Sequence, residues 1–300
     1  MINNSINSSA DSFLANINRL QARADRAQLQ ISSGFRVTKA SDDPDQIGAI
    51  VDDGASLARN TQIGRNLDRN KTEVDSAETA LSTAISTLEK ISVLGAQAAN
   101  FDQTAGARAG IGAEVRTLLG QLVGNANANV ERRFIFGGDS DQVAPYALDS
   151  STSTGTTSYA GTPATRQIAD PRGGTFSISQ SAQDIFDAPG ASVFGAVNDL
   201  QAALLANDEP GMTAALNKLQ TAHDHLSDSL AFYGSVQTQV NDAISASKLL
   251  GLRLTSAMSD IRDADLVQAA SELVNLKTQL DATFSARTLV PQRSLFDFLG

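Results

Sequence analysis

Apolar residues recur through the first 31 positions at spacings that alternate between four and three: Ile6, Ala10, Phe13, Ile17, Leu20, Ala24, Ala27 and Ile31. Such spacing is a heptad seam and predicts one long amphipathic helix of about 27 residues, about 40 Å in length. Asn, Gln, Arg, Asp and Ser fill the intervening positions, so only one narrow stripe is apolar. Ser32-Ser33-Gly34 ends the run, and 33–44 reads as a loop with a short β-prone piece at 35–38. Asp43 followed by Pro44 predicts a second helix over about 45–60, with Asp43 as N-cap and Pro44 in the first turn.

The seam returns over about 65–100 as Val74, Ala77, Leu81, Ala84, Leu88, Ile91 and Gly95. Beyond a break near Gly106 it continues through Ile111, Val115, Leu118, Leu122 and Ala126, ending near Arg132. From about 137 to 190 the helical period disappears and Ser, Thr, Gly and Pro dominate. Short strands are expected at 156–160 and 175–178, with Asp170-Pro-Arg-Gly-Gly174 as a turn. Helical character resumes near Ala191. Past Pro210-Gly211 a seam runs through Met212, Leu216, Leu219, His223, Leu226, Leu230, Tyr233, Val236 and Val240. It goes on through Leu250, Leu254, Ala257, Ile261, Leu266, Ala269, Leu273, Leu276, Leu280 and Phe284, with a stutter at 263–265. Unbroken, that helix would be about 115 Å long.

The fold expected is mainly α: an elongated antiparallel helical bundle or coiled-coil rod built from both chain ends, with a small β-rich inserted domain. Its divisions are an N-terminal helical arm at 1–137, the β-rich insertion at 138–190 and a C-terminal helical arm at 191–300. A narrow stripe on a long polar helix must find a partner stripe. The last six residues hold Leu295, Phe296, Phe298 and Leu299, each worth about 1.5–3 kcal/mol when buried. Two arrangements satisfy the ends. Either the first and last helices pair within one molecule, or both ends close against other copies or other proteins; the Ala-rich seam favours several neighbours over a lone pair.

Charge and composition narrow the function. Lys plus Arg number 23 against 33 Asp plus Glu, a net charge of -10, and no basic run exists. Nucleic acid is therefore not an expected partner, since duplex binding requires clustered cations. Cysteine is absent, which removes disulfides and thiolate metal sites. His223 and His225 lie two apart on a helix and point about 200° from one another, so they do not chelate one ion. Asp42, Asp43, Asp45, Asp52 and Asp53 lack the glycine and distal Glu of a calcium loop, Ile47 standing at a ligand position. Gly137-Gly138 and Gly173-Gly174 read as turns rather than phosphate loops. No catalytic residue, cofactor or metal is expected; the reading is a structural protein and not an enzyme. The start of the chain lacks a secretory signal and no stretch spans a bilayer, which by themselves place the protein in the cytoplasm, off the membrane.

Three segments carry a resemblance. Gln30-Ile-Ser-Ser-Gly-Phe-Arg-Val-Thr-Lys-Ala-Ser-Asp-Asp-Pro44 resembles the N-terminal signature of flagellins and their junction proteins, carried by Ser33, Gly34, Arg36, Asp42, Asp43 and Pro44. Leu289-Val-Pro-Gln-Arg-Ser-Leu-Phe-Asp-Phe-Leu299 is similar to the matching C-terminal end, and Ile261-Arg-Asp-Ala-Asp265 to the segment before it. Within that family, Asp42-Asp43-Pro44, the insertion, and Phe134-Ile-Phe-Gly-Gly138 (Phe134, Phe136, Gly137, Gly138) resemble the hook–filament junction type. Departures are Phe35, where Lys or Leu is common, and Glu131-Arg132, where Asn-Gly is usual.

The resemblance implies a secreted structural subunit of the bacterial flagellum, exported unfolded by the flagellar type III apparatus without a cleaved signal. It would join hook to filament as a ring of about eleven copies. Its implied partners are itself, a neighbouring hook-associated protein, flagellin, and a cytoplasmic export chaperone. Assembly would run through the terminal helices, with Ile6, Phe13, Ile17, Leu20 and Ile31 at one end and Leu273, Leu276, Leu280, Phe284 and the four apolar tail residues at the other. A short filament flagellin is the alternative, and a cytoplasmic helical scaffold a more distant one.

Overall fold

The computed structural model describes residues 2–100 and 102–289, with side chains over 11–100 and 102–286. The helices are α1 (Ile2–Ser33), α2 (Ile47–Ala98), α3 (Ala105–Ala126), α4 (Ala182–Phe186), α5 (Val193–Ala206), α6 (Glu209–Arg262) and α7 (Leu266–Leu289). The strands are β1 (Asn129–Val130), β2 (Arg133–Phe134), β3 (Gln167–Ala169) and β4 (Thr175–Ser177). The chain is mainly helical with a small β region, as the pattern predicts. It divides into two compact units, one formed by the residues up to 58 and from 251 onward, the other by 59–250.

In the unit of 59–250, α2 and α6 are antiparallel partners. Asn60 Nδ2 donates to Ser247 O at 2.8 Å, Gln237 Nε2 to Asp75 Oδ1 at 2.8 Å, and His223 Nε2 lies 3.4 Å from Glu89. Positions rise along one helix as they fall along the other. The buried face of α6 is Met212, Ala215, Leu219, Ala222, Leu226, Ser229, Tyr233, Val236, Val240 and Ala243, spaced by three and four throughout. On α2 it includes Leu67, Val74, Ala77, Leu81, Ala84, Leu88, Ile91, Gly95 and Ala98. His223, expected on the seam, sits beside it, and Ala222 takes its place. Gly95 marks the tightest approach: a Cβ there would come within 2.9 Å of both Leu200 and Leu216.

Several boundaries differ from the pattern. The two helices expected at 45–60 and 65–100 are one continuous α2. The intervening Gly64 weakens a helix by only about 1 kcal/mol relative to Ala, too little to break packed turns. At the other end, α3 stops at Ala126 rather than near 132, because β1 and β2 form a hairpin with Asn129 opposite Phe134 and Val130 opposite Arg133. Its two central residues, Glu131 and Arg132, have φ of 52° and 67°, the backbone a two-residue turn of this kind requires.

The expected strand at 156–160 reduces to a single bridge between Leu148 and Thr156. Local bonds compete for it: Asp149 Oδ1 accepts from Ser151 N at 2.9 Å, and Thr152 Oγ1 donates to Thr156 O at 2.8 Å. The other strand prediction holds, with β3 and β4 antiparallel around the turn at 170–174. Short helices fill the rest, capped by Ser181 on α4 and Ser192 on α5.

In the other unit, α1 and α7 pack on each other antiparallel. Arg23 Nη2 donates to Glu272 Oε1 at 2.8 Å, and Phe35 bridges to Asp263. Gly34, with φ of 76°, ends α1 where the sequence places its stop. The long C-terminal helix is interrupted: α6 ends at Arg262 and α7 begins at Leu266. Asp43 does not cap α2 with its side chain. Its carboxylate accepts from Arg36 Nη1 at 3.0 Å, while its backbone oxygen takes Gln46 N and Ile47 N, so Pro44 lies in a turn before the helix.

Candidate assembly interface

The terminal pair owes its form to two facing stripes. On α1, Ile17 and Ala27 are buried and Phe13, Leu20 and Ala24 are half-buried. On α7, Ala269 and Leu276 are buried and Leu273 and Leu280 half-buried. Pairing within one chain, one of the two arrangements the seams allow, therefore closes the inner stripe. Ile31 and Phe284 do not join it; Phe284 is 50% exposed, although the spacing places it on the seam. Ile31 is 37% exposed. The side chain of Ile6 and all of Leu295, Phe296, Phe298 and Leu299 lie outside the described residues.

The same two helices carry apolar residues away from the seam. Leu14 and Leu29 on α1 and Val267 and Val274 on α7 are exposed, Val267 by 78%. Each helix therefore carries exposed apolar side chains in addition to those that stitch the inner contact. A single narrow stripe read from spacing misses the outer set, whose signal is only isolated Leu and Val among polar residues.

The signature loop is built around α6's end. Arg36 donates through Nη2 to Ile261 O at 2.7 Å and through Nη1 to Asp43. Its backbone N and that of Val37 both donate to Arg262 O, at 2.7 and 3.2 Å. Arg262 lies over the Phe35 ring, 4.0 Å from its centroid. Asp42 closes the following turn, accepting from Thr38 Oγ1 at 2.8 Å, Thr38 N at 3.0 Å and Lys39 N at 3.0 Å. The Thr38 hydroxyl foremost, then the two backbone donors, hold its carboxyl below the usual carboxylate range. Ser33 Oγ accepts from Phe35 N at 3.1 Å. Arg262 is the participant that spacing alone does not reveal, since its neighbours read as ordinary helix.

The second signature does not sit at an exposed surface. Phe136 is fully buried, with Phe186 at 6.0 Å and Tyr233 at 6.1 Å in edge-on contact. Its carbonyl accepts from Ala182 N at 2.8 Å and Tyr159 Oη at 2.9 Å. Phe134 is half-buried in β2 and pairs with Asp141 O through its N–H at 2.8 Å. Gly138 has φ of 63°, and a Cβ there would strike Thr162 O; Gly137 is hemmed by Ser140 O. These residues fasten the β-rich segment onto α4 and α6 within their own unit.

Among the described residues no group of three or more His, Cys, Asp or Glu is placed to hold a metal ion. His225 Nε2 donates to Asp184 O at 2.7 Å, a structural hydrogen bond within the 59–250 unit. Nor is any described helix long and apolar enough to cross a membrane.

Paired terminal helices with exposed apolar residues outside their contact, antiparallel heptad helices and a β-rich segment held by aromatic packing define a helical structural subunit. The family follows from comparison. The bacterial flagellin N-terminal helical region matches residues 2–140, and the bacterial flagellin C-terminal helical region matches 216–299. The chain belongs to the bacterial flagellin family, whose members are structural proteins of the flagellum. It is 25% identical over 295 residues to flagellar hook-associated protein 3 of Escherichia coli, covering 89% of this chain and 90% of that one. It is 27% identical over 281 residues to flagellin of Bacillus subtilis, covering 86% and 87%. Its fold matches a structure titled for a flagellar hook-associated protein of Vibrio parahaemolyticus, 21% identical, with a TM-score of 0.66 over 74% of this chain and 100% of that one.

Proposed function

We propose that this chain is the adaptor subunit that joins hook to filament in the bacterial flagellum. The observation that carries the reading is end-to-end similarity to a hook-associated protein: the alignment spans both helical arms and the insertion between them. The signature residues Asp42-Asp43-Pro44 and Phe134-Ile-Phe-Gly-Gly138 support the same type. In this reading the subunit leaves the cell through the flagellar export apparatus, guarded beforehand by a chaperone. It then forms a ring of about eleven copies between a second hook-associated protein and the first flagellin layer. Residues 138–190 serve as a small outward domain between the arms at 1–137 and 191–300.

Assembly would use the terminal pair. Its inner stripe is closed in cis, so the surfaces it offers to neighbours are the outer residues Leu14, Leu29, Val267 and Val274; the apolar sequence of Leu295, Phe296, Phe298 and Leu299 would add to them in an assembly. Chemically equivalent neighbours on both sides would bury them, and ordering there would be stabilised only at the growing end.

A second reading, a short filament flagellin, has its own support in the 27% identity to a flagellin over nearly the whole chain. Electron microscopy of a strain lacking the protein separates the two. The adaptor reading expects intact hooks without filaments and flagellin shed into the medium. Hooks that still carry full-length filaments would reject it, and absence of all filament protein with normal hook caps would favour the second reading.

A further inference from the structure

The interruption between α6 and α7 has no strong local cause. Residues 259–267 contain neither Gly nor Pro, and Ala264 at its centre is the best helix former. Asp263 and Asp265 are mediocre helix residues rather than breakers. Asp265 does supply a cap, accepting Val267 N at 2.9 Å and Gln268 N at 3.0 Å through Oδ1. A cap of that strength competes with a continuing helix but does not dictate a stop.

The loop after α1 takes one partner from each of the three hydrogen bonds that a continuous helix would make here. In an unbroken helix Ala264 N would donate to Asp260 O, Asp265 N to Ile261 O, and Leu266 N to Arg262 O. In the structure Ala264 N donates to Gly34 O at 2.9 Å. Ile261 O is taken by the Arg36 guanidinium at 2.7 Å. Arg262 O is taken by Arg36 N and Val37 N. The Phe35 ring against Arg262 seats the loop at that place. Three of the backbone groups that a continuous helix would pair across the gap, Ile261 O, Arg262 O and Ala264 N, are thus occupied by residues 34–37.

We infer that the α6–α7 break is conditional: residues 34–37 impose it by capturing Ile261 O, Arg262 O and Ala264 N, and without that capture residues 209–289 run as one helix. The two chain ends are thereby coupled. Seating of the segment after α1 sets the conformation of residues 263–265, so the C-terminal helix has a continuous form before the N-terminal loop docks and an interrupted form afterwards. This conclusion concerns the chain itself and does not depend on which flagellar role it fills.

The test is Arg36→Pro in the full-length protein, which removes both the backbone and guanidinium donors of residue 36. The readout is the Cα chemical shift of selectively labelled Ala264, with hydrogen exchange of the Leu266 and Val267 amides. The inference expects Ala264 to move from a non-helical to a helical shift and the two amides to slow about tenfold or more as they enter a helix interior. An unchanged Ala264 shift with the loop visibly undocked (altered Phe35 ring resonances) would overturn it. Leu266→Pro supplies the converse. Proline is accepted in the first turn of α7 but not within a continuous helix. Adding it to Arg36→Pro should return Ala264 to the non-helical shift. If the double variant keeps the helical shift, or if Arg36→Pro melts α7 as judged by exchange over 269–284, the competition described here is wrong.

Discussion

Arg108 donates through Nη2 to Glu209 at 2.9 Å, although the two lie on different sides of the β-rich segment in sequence. The arginine is 2% exposed, and its other donors reach Ala98 O, Asn100 O and Asn207 Oδ1. It ties the end of α2, the start of α3 and the α5–α6 turn into one closed corner. Asn207 itself adopts a left-handed backbone to fit there.

Arg108 therefore anchors that corner through four groups at once. Arg108→Ala should cost about 3–5 kcal/mol, since it strands buried carbonyls and removes packing. Arg108→Lys should recover little, because a single ammonium cannot reach the same set of acceptors. Chemical denaturation of both variants measures the loss; a change within 1 kcal/mol for either would show that the corner closes without the guanidinium.

The terminal pair has a different weak point. Leu276→Ala should destabilise the α1–α7 contact by about 2–4 kcal/mol through loss of a fully buried side chain. Ile17→Asp should separate the helices outright by burying an unpaired carboxylate. Hydrogen exchange should accelerate across α1 and α7 while amides around Leu81 and Leu226 keep their protection. Equal acceleration in both places would mean the two units unfold together.

The β1–β2 turn holds Glu131 and Arg132 in left-handed backbone, which costs about 1 kcal/mol each in residues with a Cβ. Replacing them with Asn and Gly, the pair that such turns favour, should raise stability by about 1–2 kcal/mol. Thermal unfolding checks this: a melting temperature that stays level or falls would show that the side chains contribute more than the backbone strain removes.

All three tyrosines, Tyr146, Tyr159 and Tyr233, are held above the usual phenol range, in each case chiefly by burial. A raised folded-state pKa means the neutral phenol is favoured by the fold. The associated stability is intact below about pH 10, the unfolded value, and is lost as pH rises beyond it. Phenolate absorbance should thus appear late and cooperatively, together with loss of helix, above pH 10. A tyrosine titrating near 10 while helicity is unchanged would contradict the burial of that ring.

Heptad spacing marked most of the buried face of α2 and α6 because each stripe is regular over many turns and each turn reports the same face. Glycines placed the C-terminal end of α1 and the turn at 170–174 for a similar reason: they act through the backbone of their own few residues. The aromatic core around Phe136 was legible only as a signature, since its partners Phe186 and Tyr233 come from distant segments. The small β segment was misjudged at 156–160, where side chains of Thr and Asp satisfy backbone groups that a strand would have paired.

The sequence alone settled that the chain is helical at both ends and which residues form most of the buried stripe of α2 and α6. Those are local or periodic properties, and repetition makes them robust. Tertiary structure decided that α1 closes on α7 within the chain, that Asp43 binds Arg36 instead of capping a helix, and that α6 stops at Arg262. Each of these turns on competition between backbone groups and partners more than thirty or only a few residues away, and near-equal alternatives are resolved by which donor reaches the acceptor first in space.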